Sequence, residues 1–135
     1  MVKLTKNING TISLERNNTI TNIVYKNNKI LLSKKDIAIH FGEKKSTIKD
    51  IIEQLHIVNS ELLYNKNKDK NIKLYSIDSI LIIGYKLKKY SETKLLIKTN
   101  RILKNTSFSN STILELVKAK YSEIKNKLKI IDLMN

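Results

Sequence analysis

Residues 35–52 read KDIAIHFGEKKSTIKDII and are the most informative segment of the chain for predicting its fold. Its pattern predicts two short helices that meet at Gly42, because a tight turn needs a positive φ that glycine adopts without steric cost. Ala38 is small enough for the second helix to cross closely over the first. Ile48 and Ile51 recur at helical spacing and are expected to pack against the first helix. The front of the second helix then lies outside, where it can enter a DNA major groove.

The composition is strongly basic, with a net charge of +14 over 135 residues, including 26 lysines and arginines. A basic chain of this size favours an acidic polymer as its partner. All but two of the basic residues are lysine, and an abundance of Lys, Asn and Ile is also typical of an AT-rich genome. Charge alone therefore leaves a nucleic-acid partner and codon bias as equal alternatives.

Several classes of function are disfavoured by what the sequence lacks. There is no cysteine, which excludes disulfides and thiolate metal sites. The start of the chain shows no signal-peptide pattern, and the apolar run at 80–83 is too short to cross a membrane. His40 and His56 have no companions at metal-ligand spacing, and no catalytic motif stands out. We therefore expect a cytoplasmic protein that is not an enzyme, uses no cofactor or metal, and has no membrane partner.

The first half of the chain reads as β structure followed by the two helices. A strand over 19–26, a turn at Asn27-Asn28 and a return strand over 29–32 are predicted, with a shorter strand near 10–14. Ser33 caps the first helix, which runs to about residue 41. The second helix is expected over 45–55.

The second half begins with a hairpin whose strands are expected at 61–64 and 72–75, in the position of a wing. Two more helices are predicted over 77–86 and 92–104. A polar linker would follow, and residues 112–133 have the pattern of a long amphipathic helix. Its apolar residues are three and four positions apart, as in a heptad seam. The seam consists of Leu114, Val117, Tyr121, Ile124, Leu128 and Ile131.

Together these elements predict an α+β fold that is mostly helical. It would be a winged helix-turn-helix with an N-terminal β-hairpin and a long C-terminal amphipathic helix. Residues 1–104 would form the DNA-binding-like domain, and residues 105–135 a linker and a dimerisation or docking helix. The seam favours a homodimer that presents two recognition helices to neighbouring DNA half-sites. Packing of the helix on its own domain is the alternative.

Three motifs within residues 20–104 carry a resemblance to a known family. They are Phe41-Gly42 with Lys45-Ser46-Thr47-Ile48, Tyr75-Ser76-Ile77-Asp78-Ser79-Ile80 with Ile83-Gly84-Tyr85-Lys86, and Thr93 with Arg101-Ile102-Leu103-Lys104. With them the chain resembles the N-terminal domain of the bacterial virulence protein RhuM family. The resemblance implies a winged, DNA-binding-like domain in proteins often linked to mobile elements. Where the family tends to have a capping serine, this chain has Lys44.

DNA contacts are expected from three places: the outer face of the second helix, the loop of the hairpin, and a basic stripe on the helix over 92–104. Lys and Ser side chains can donate to guanine or to phosphate, and an Asp can accept from cytosine. The candidates are Lys44, Lys45, Ser46, Thr47, Lys49, Asp50, Lys66, Lys68, Lys70, Lys94, Lys98 and Arg101. For each of them an ordinary solvated surface is the alternative. Segment 43–55 carries three lysines and three acidic residues, so its helix either reads bases or is not the main contact.

The sequence therefore predicts a sequence-specific protein that binds double-stranded DNA, a small transcriptional regulator linked to a mobile element. The rival is a protein-interaction module, an anti-repressor or defence-related adaptor whose basic helices dock an acidic protein partner. A third alternative is single-stranded nucleic acid, which would require exposed tyrosines for stacking. Core packing is instead expected for Tyr64, Tyr75, Tyr85 and Tyr121.

Overall fold

The computed structural model describes residues 2–105 and, for the backbone alone, residues 113–116. In residues 2–105, helices make up 41% and strands 34%. The expectation of a mostly helical, winged helix-turn-helix fold is therefore wrong. Within the described residues, one antiparallel sheet and four helices share the structure, and the sheet is much larger than a hairpin and a wing.

Four strands open the chain, separated by tight turns. They are β1 (Val2–Lys6), β2 (Ile12–Arg16), β3 (Thr19–Lys26) and β4 (Lys29–Ser33). The turn predicted at Asn27-Asn28 is confirmed, with φ of 53° and 63°. Asn17-Asn18 forms a second turn of the same kind, with φ of 48° and 63°. Two-residue turns with positive φ match the twist of the flanking strands, and Asn tolerates that conformation.

The predicted hairpin is present as β5 (Glu61–Asn65) and β6 (Lys70–Ser76). It does not stand apart as a wing, because β6 pairs with β4 through Leu74–Ser76 against Leu31–Ser33. Leu32 lies opposite Tyr75 in this pairing, and both side chains are buried. Including a last strand, β7 (Ile113–Leu116), the sheet runs in the order β5-β6-β4-β3-β2-β1-β7, with antiparallel neighbours throughout.

Helices α1 (Lys34–Phe41) and α2 (Lys45–Gln54) follow β4 and meet at the predicted turn. The Ser33 hydroxyl accepts the backbone N–H of Asp36, and the Asp36 carboxylate accepts the backbone N–H of Asn22 at 3.0 Å. The start of α1 is therefore tied to β3 as well as capped. Gly42 has φ of 66°, and the N–H of the next residue donates to the Ala38 carbonyl at 2.9 Å. This is the left-handed helix end that the sequence predicts.

Helices α3 (Ile77–Lys86) and α4 (Tyr90–Lys104) complete the described part. Ser76 caps α3 by accepting the N–H of Ser79. A Cβ at Gly84 would lie 3.0 Å from Phe41 Cζ and would overlap Thr93 Oγ1. The absence of a side chain at Gly84 thus lets α1, α3 and α4 approach one another closely.

The core lies between the helices and one face of the sheet. Leu4, Leu14, Ile23, Ile30 and Leu32 from the strands, and Ile37, Phe41, Ile48, Ile80, Ile83 and Leu96 from the helices, are fully buried. This layer holds α2 and α4 by their apolar sides and leaves their opposite sides available to solvent.

The prediction of a C-terminal helix is wrong for the first residues of that segment. Ile113–Leu116 forms β7, which pairs antiparallel with β1 and places Leu114 opposite Leu4. An apolar segment beside the free edge of β1 can satisfy the backbone groups of that edge, and this competes with helix formation. Most of the expected linker and the remaining seam residues, Val117, Tyr121, Ile124, Leu128 and Ile131, lie outside the described residues.

Candidate nucleic-acid interface

The outer face of α2 is accessible to a partner. Ile48 and Ile51 point into the core, as predicted, and Ile52 is buried with them. The candidate contacts Lys44, Lys45, Ser46, Lys49 and Asp50 are exposed, and Thr47 is half-buried. Leu55 is 39% exposed, because α2 ends before it and it serves as the C-cap.

The N-terminus of α2 differs from those of α1 and α3 in its capping. Its N-cap is Lys44, which makes no side-chain cap hydrogen bond, and its first turn has no acidic residue. The exposed Lys44 and Lys45 side chains therefore lie at the end of the helix where the backbone dipole is positive. This end of α2 favours negatively charged groups.

The basic stripe predicted on α4 lies on its solvent side. Thr93, Leu96, Thr99 and Leu103 are buried against the rest of the protein. Lys94 and Arg101 are exposed and Lys98 is half-buried. The acidic residue of this helix, Glu92, faces elsewhere and lies 3.9 Å from the guanidinium of Arg16. The stripe consequently carries positive charge without a carboxylate on the same face.

An ion pair joins the start of α2 to the start of α4. Lys89 Nζ lies 3.6 Å from the carboxylate of Glu43, which is in the turn between α1 and α2. The other ion pairs in the described chain are Arg16–Glu92 and Lys26–Glu61. None of the twelve predicted DNA contacts is thus in an ion pair with a described residue. The N-terminal ends of α2 and α4 form neighbouring parts of one surface.

The loop of the β5–β6 hairpin carries exposed lysines at its far end. Lys66, Lys68 and Lys70 are all exposed. The hairpin joins the sheet through Leu74–Ser76. Lys70 is four residues before Leu74 on β6, so the loop begins about 14 Å from this pairing. Among the described residues, no hydrogen bond or ion pair connects this loop with α2 or α4. The structure therefore links the starts of α2 and α4 through the Glu43–Lys89 ion pair and shows no such link for the hairpin loop among the described residues.

Beside this surface lies a cluster that the sequence did not predict, formed by Arg16, His40 and Glu92. Arg16 donates to the backbone carbonyl of His40 at 2.6 Å, and His40 Nε2 donates to the carbonyl of Glu92 at 2.8 Å. They line a cavity of about 220 Å³ together with Gly42 and Lys89. In the sequence, the feature that sets this cluster apart is that Arg16 is one of two arginines among 26 basic residues.

His40 is neutral in the folded protein at physiological pH. Burial lowers its pKa from 6.5 to about 4, although its hydrogen bond to the Glu92 carbonyl acts in the opposite direction. With the Nε2 proton donated to that carbonyl, Nδ1 is a buried acceptor that has no hydrogen-bond partner among the described residues. His40 thus ties α1 to α4 and adds no charge to the surface.

The tyrosines are less buried than the sequence indicated. Tyr75 is 3% exposed and lies in the core as expected. Tyr64 is 54% exposed, Tyr85 58% and Tyr90 51%. The prediction that Tyr64 and Tyr85 pack in the core is therefore wrong. Tyr64 donates to the Asp69 carboxylate in the hairpin loop, whereas the rings of Tyr85 and Tyr90 contact each other. Tyr121 lies outside the described residues.

The described residues show no grouping of three His, Asp or Glu side chains that would hold a metal ion. In the same part of the chain, every helix falls short of the length and apolar character that a membrane crossing needs. Comparisons with protein-family models, curated proteins and solved structures found no match to the chain. The resemblance to the RhuM family remains a prediction.

Proposed function

We propose that the protein binds double-stranded DNA through the outer faces of α2 and α4. The observation that carries the proposal is the stripe of Lys94, Lys98 and Arg101, which has no carboxylate on its face and lies opposite the buried side of α4. Cationic side chains that no carboxylate neutralises are free to displace counterions from phosphates. Lys44 and Lys45 add positive charge at the N-terminus of α2, and the turn before this helix is joined to the start of α4 by the Glu43–Lys89 ion pair.

In this proposal the two helices have different tasks. The α4 stripe binds phosphates and sets the position of the protein on the duplex, a contact that carries no sequence information. Helix α2 has balanced charges and contributes selectivity instead. Lys45 and Lys49 are donors suited to guanine O6 and N7, and Asp50 is an acceptor suited to cytosine N4. The biological role that we propose is that of a small sequence-specific regulator.

The test of duplex binding compares two double variants that remove the same charge. Lys94→Ala/Lys98→Ala alters the stripe on α4. Lys3→Ala/Lys6→Ala alters β1, which lies between β2 and β7 in the sheet. Anisotropy of a labelled duplex is followed between about 50 and 200 mM salt. The stripe variant should reduce the slope of log K against log salt by about 2, since each neutralised phosphate contributes about 0.9.

The β1 variant should keep the slope of the unaltered protein. Equal slopes for both double variants would mean that net charge alone drives the contact, and the assignment to α4 would then be wrong. Absence of duplex binding at the lowest salt would refute the proposal itself.

A second function, docking of a protein partner, is favoured by a separate observation. Exposed apolar side chains follow α2 and continue into the hairpin, with Val58 76% and Leu62 58% exposed. Exposed apolar side chains in neighbouring segments are typical of interaction surfaces. Under this alternative Leu62→Asp would abolish partner binding and leave the fold intact, while the α4 variants would have no effect. A protein that binds no duplex but depends on Leu62 for partner binding would decide for this alternative.

A further inference from the structure

The corner between α3 and α4 exposes aromatic and apolar side chains to solvent. The ring centroids of Tyr85 and Tyr90 are 5.9 Å apart, with the ring planes inclined at 48°. Ile82 lies one turn before Tyr85 on α3 and is 52% exposed. We refer to Ile82, Tyr85 and Tyr90 as the aromatic corner. Neighbouring large apolar side chains that are exposed together are a feature of binding surfaces.

The position of Gly84 explains why these rings point outward. Gly84 is held against Phe41 and Thr93, where a Cβ has no room. The next residue along the helix, Tyr85, is turned by about 100° and so faces away from that contact. The exposed ring is thus a consequence of close helix packing, and the packing fixes where Tyr85 lies.

The charges around the aromatic corner indicate an anionic partner. Lys86 and Lys88 are exposed beside Tyr85. On α4, Lys94, Lys98 and Arg101 follow Tyr90 by four, eight and eleven residues, which places them on the same helix face. From Tyr90 to Arg101 this face extends about 16 Å. The acidic residues of the two helices are Asp78, one turn before Ile82, and Glu92, which pairs with Arg16.

A partner that is both anionic and aromatic is a nucleic acid with an accessible base. Bases inside a duplex stack on one another, so away from the duplex ends a tyrosine ring can stack only on a base that is unpaired. Because the two rings are inclined to each other, they form no parallel slot for a base. A base would instead lie on the outer face of one ring, as on the stacking platforms of proteins that bind single strands.

We propose that the aromatic corner stacks an unpaired base while the α4 stripe binds the phosphates that follow it. The protein then binds most tightly to duplex DNA that continues into a single strand. This inference rests on the proposed DNA binding of the α4 face and adds the structure of the preferred DNA. The partner is identified by its phosphates and its exposed base, which match the lysines and the tyrosines respectively.

The test uses the full chain and two DNAs, a blunt duplex and the same duplex with a short single-stranded thymidine extension. The extension should tighten binding at least about fivefold, the effect of stacking one base on an aromatic ring. Tyr85→Ala/Tyr90→Ala should remove this gain and leave the affinity for the blunt duplex unchanged. Tyr85→Phe/Tyr90→Phe should retain the gain, because a phenyl ring also stacks.

A matched control is Tyr64→Ala, which removes an equally exposed tyrosine that lies in the hairpin. This variant should keep the gain from the extension. Tyrosine fluorescence provides a second readout, since the chain contains no tryptophan. The extended DNA should quench more emission than the blunt duplex does, and the difference should vanish in Tyr85→Phe/Tyr90→Phe.

The possible failures are distinguishable. Equal affinity for both DNAs, or a gain that persists in Tyr85→Ala/Tyr90→Ala, overturns the inference and leaves the proposed duplex binding intact. Binding of the extended DNA without any binding of the blunt duplex supports the stacking of an unpaired base and refutes the proposed binding of a duplex by itself. No binding of either DNA overturns both. The unaltered protein could also be a dimer that Tyr85→Ala/Tyr90→Ala converts to a monomer. If the extension still tightens binding of that variant by the same factor, a second copy of the chain covers the aromatic corner and the inference is overturned.

Discussion

Removal of the imidazole of His40 should make the stability of the protein less dependent on pH. The group is buried and its pKa falls from 6.5 to about 4 in the folded state. Between these values the unfolded chain binds one proton more than the folded chain does. The free energy of unfolding therefore decreases as pH falls from 6.5 towards 4, and the His40 contribution is constant above that window.

The magnitude follows from the difference between the two pKa values. A shift of one unit corresponds to about 1.36 kcal/mol, so the total loss for His40 is about 3 kcal/mol. Between pH 7 and pH 4.5 the unaltered protein should lose about 2 kcal/mol through this residue alone. Neighbouring Arg16 and Glu92 influence the pKa in opposite directions, which leaves burial as the dominant cause.

The assay is urea unfolding followed by circular dichroism at several pH values from 7 to 4.5. His40→Gln retains an N–H for the Glu92 carbonyl but does not titrate. Its free energy of unfolding should therefore fall by about 2 kcal/mol less than that of the unaltered protein between pH 7 and pH 4.5. His56→Gln alters an exposed histidine and should behave as the unaltered protein does. If the free energy of unfolding depends on pH in the same way for the unaltered protein and His40→Gln, then His40 does not cause that dependence. This holds even if the variant is less stable at every pH.

Two further predictions concern the packing and capping of the helices. Gly84→Ala should destabilise the protein by about 1–3 kcal/mol in urea unfolding, because the new methyl group overlaps Thr93, and Thr93→Ala in the same chain should restore part of the loss. Additive losses in the double variant would contradict the proposed contact. Ser33→Ala should cost about 1 kcal/mol through the lost cap of α1, whereas Lys44→Ala at the uncapped start of α2 should stay within about 0.5 kcal/mol. Equal effects of the two substitutions would contradict this description of the helix ends.

Local patterns in the sequence predict the helices well and the sheet poorly. Gly42, Ser33 and Ser76 act through neighbours a few residues away, so their turns and caps can be read directly from the chain. The pairing of Leu32 with Tyr75 joins residues that are 43 positions apart, and no local pattern encodes it. That pairing converts the expected wing into part of a larger sheet.

The candidate site shows the same division between local and distant information. Helical spacing places Lys45 and Lys94 on outer faces without any knowledge of the tertiary fold. The contact between Lys89 and Glu43 and the cluster around His40 require the folded chain. The apolar run before Tyr85 favours a core position for this residue, but the close contact at Gly84 takes up the buried side of the helix there.

Selection from a random duplex library shows whether α2 reads the sequence of double-stranded DNA. The selection is made at about physiological salt, with a shuffled duplex as competitor and Lys45→Ala/Lys49→Ala as the comparison. We expect an enriched motif for the unaltered protein and a weaker or absent motif for the variant. The same motif from both proteins would contradict base reading by α2, and no enrichment from either would contradict sequence-specific binding.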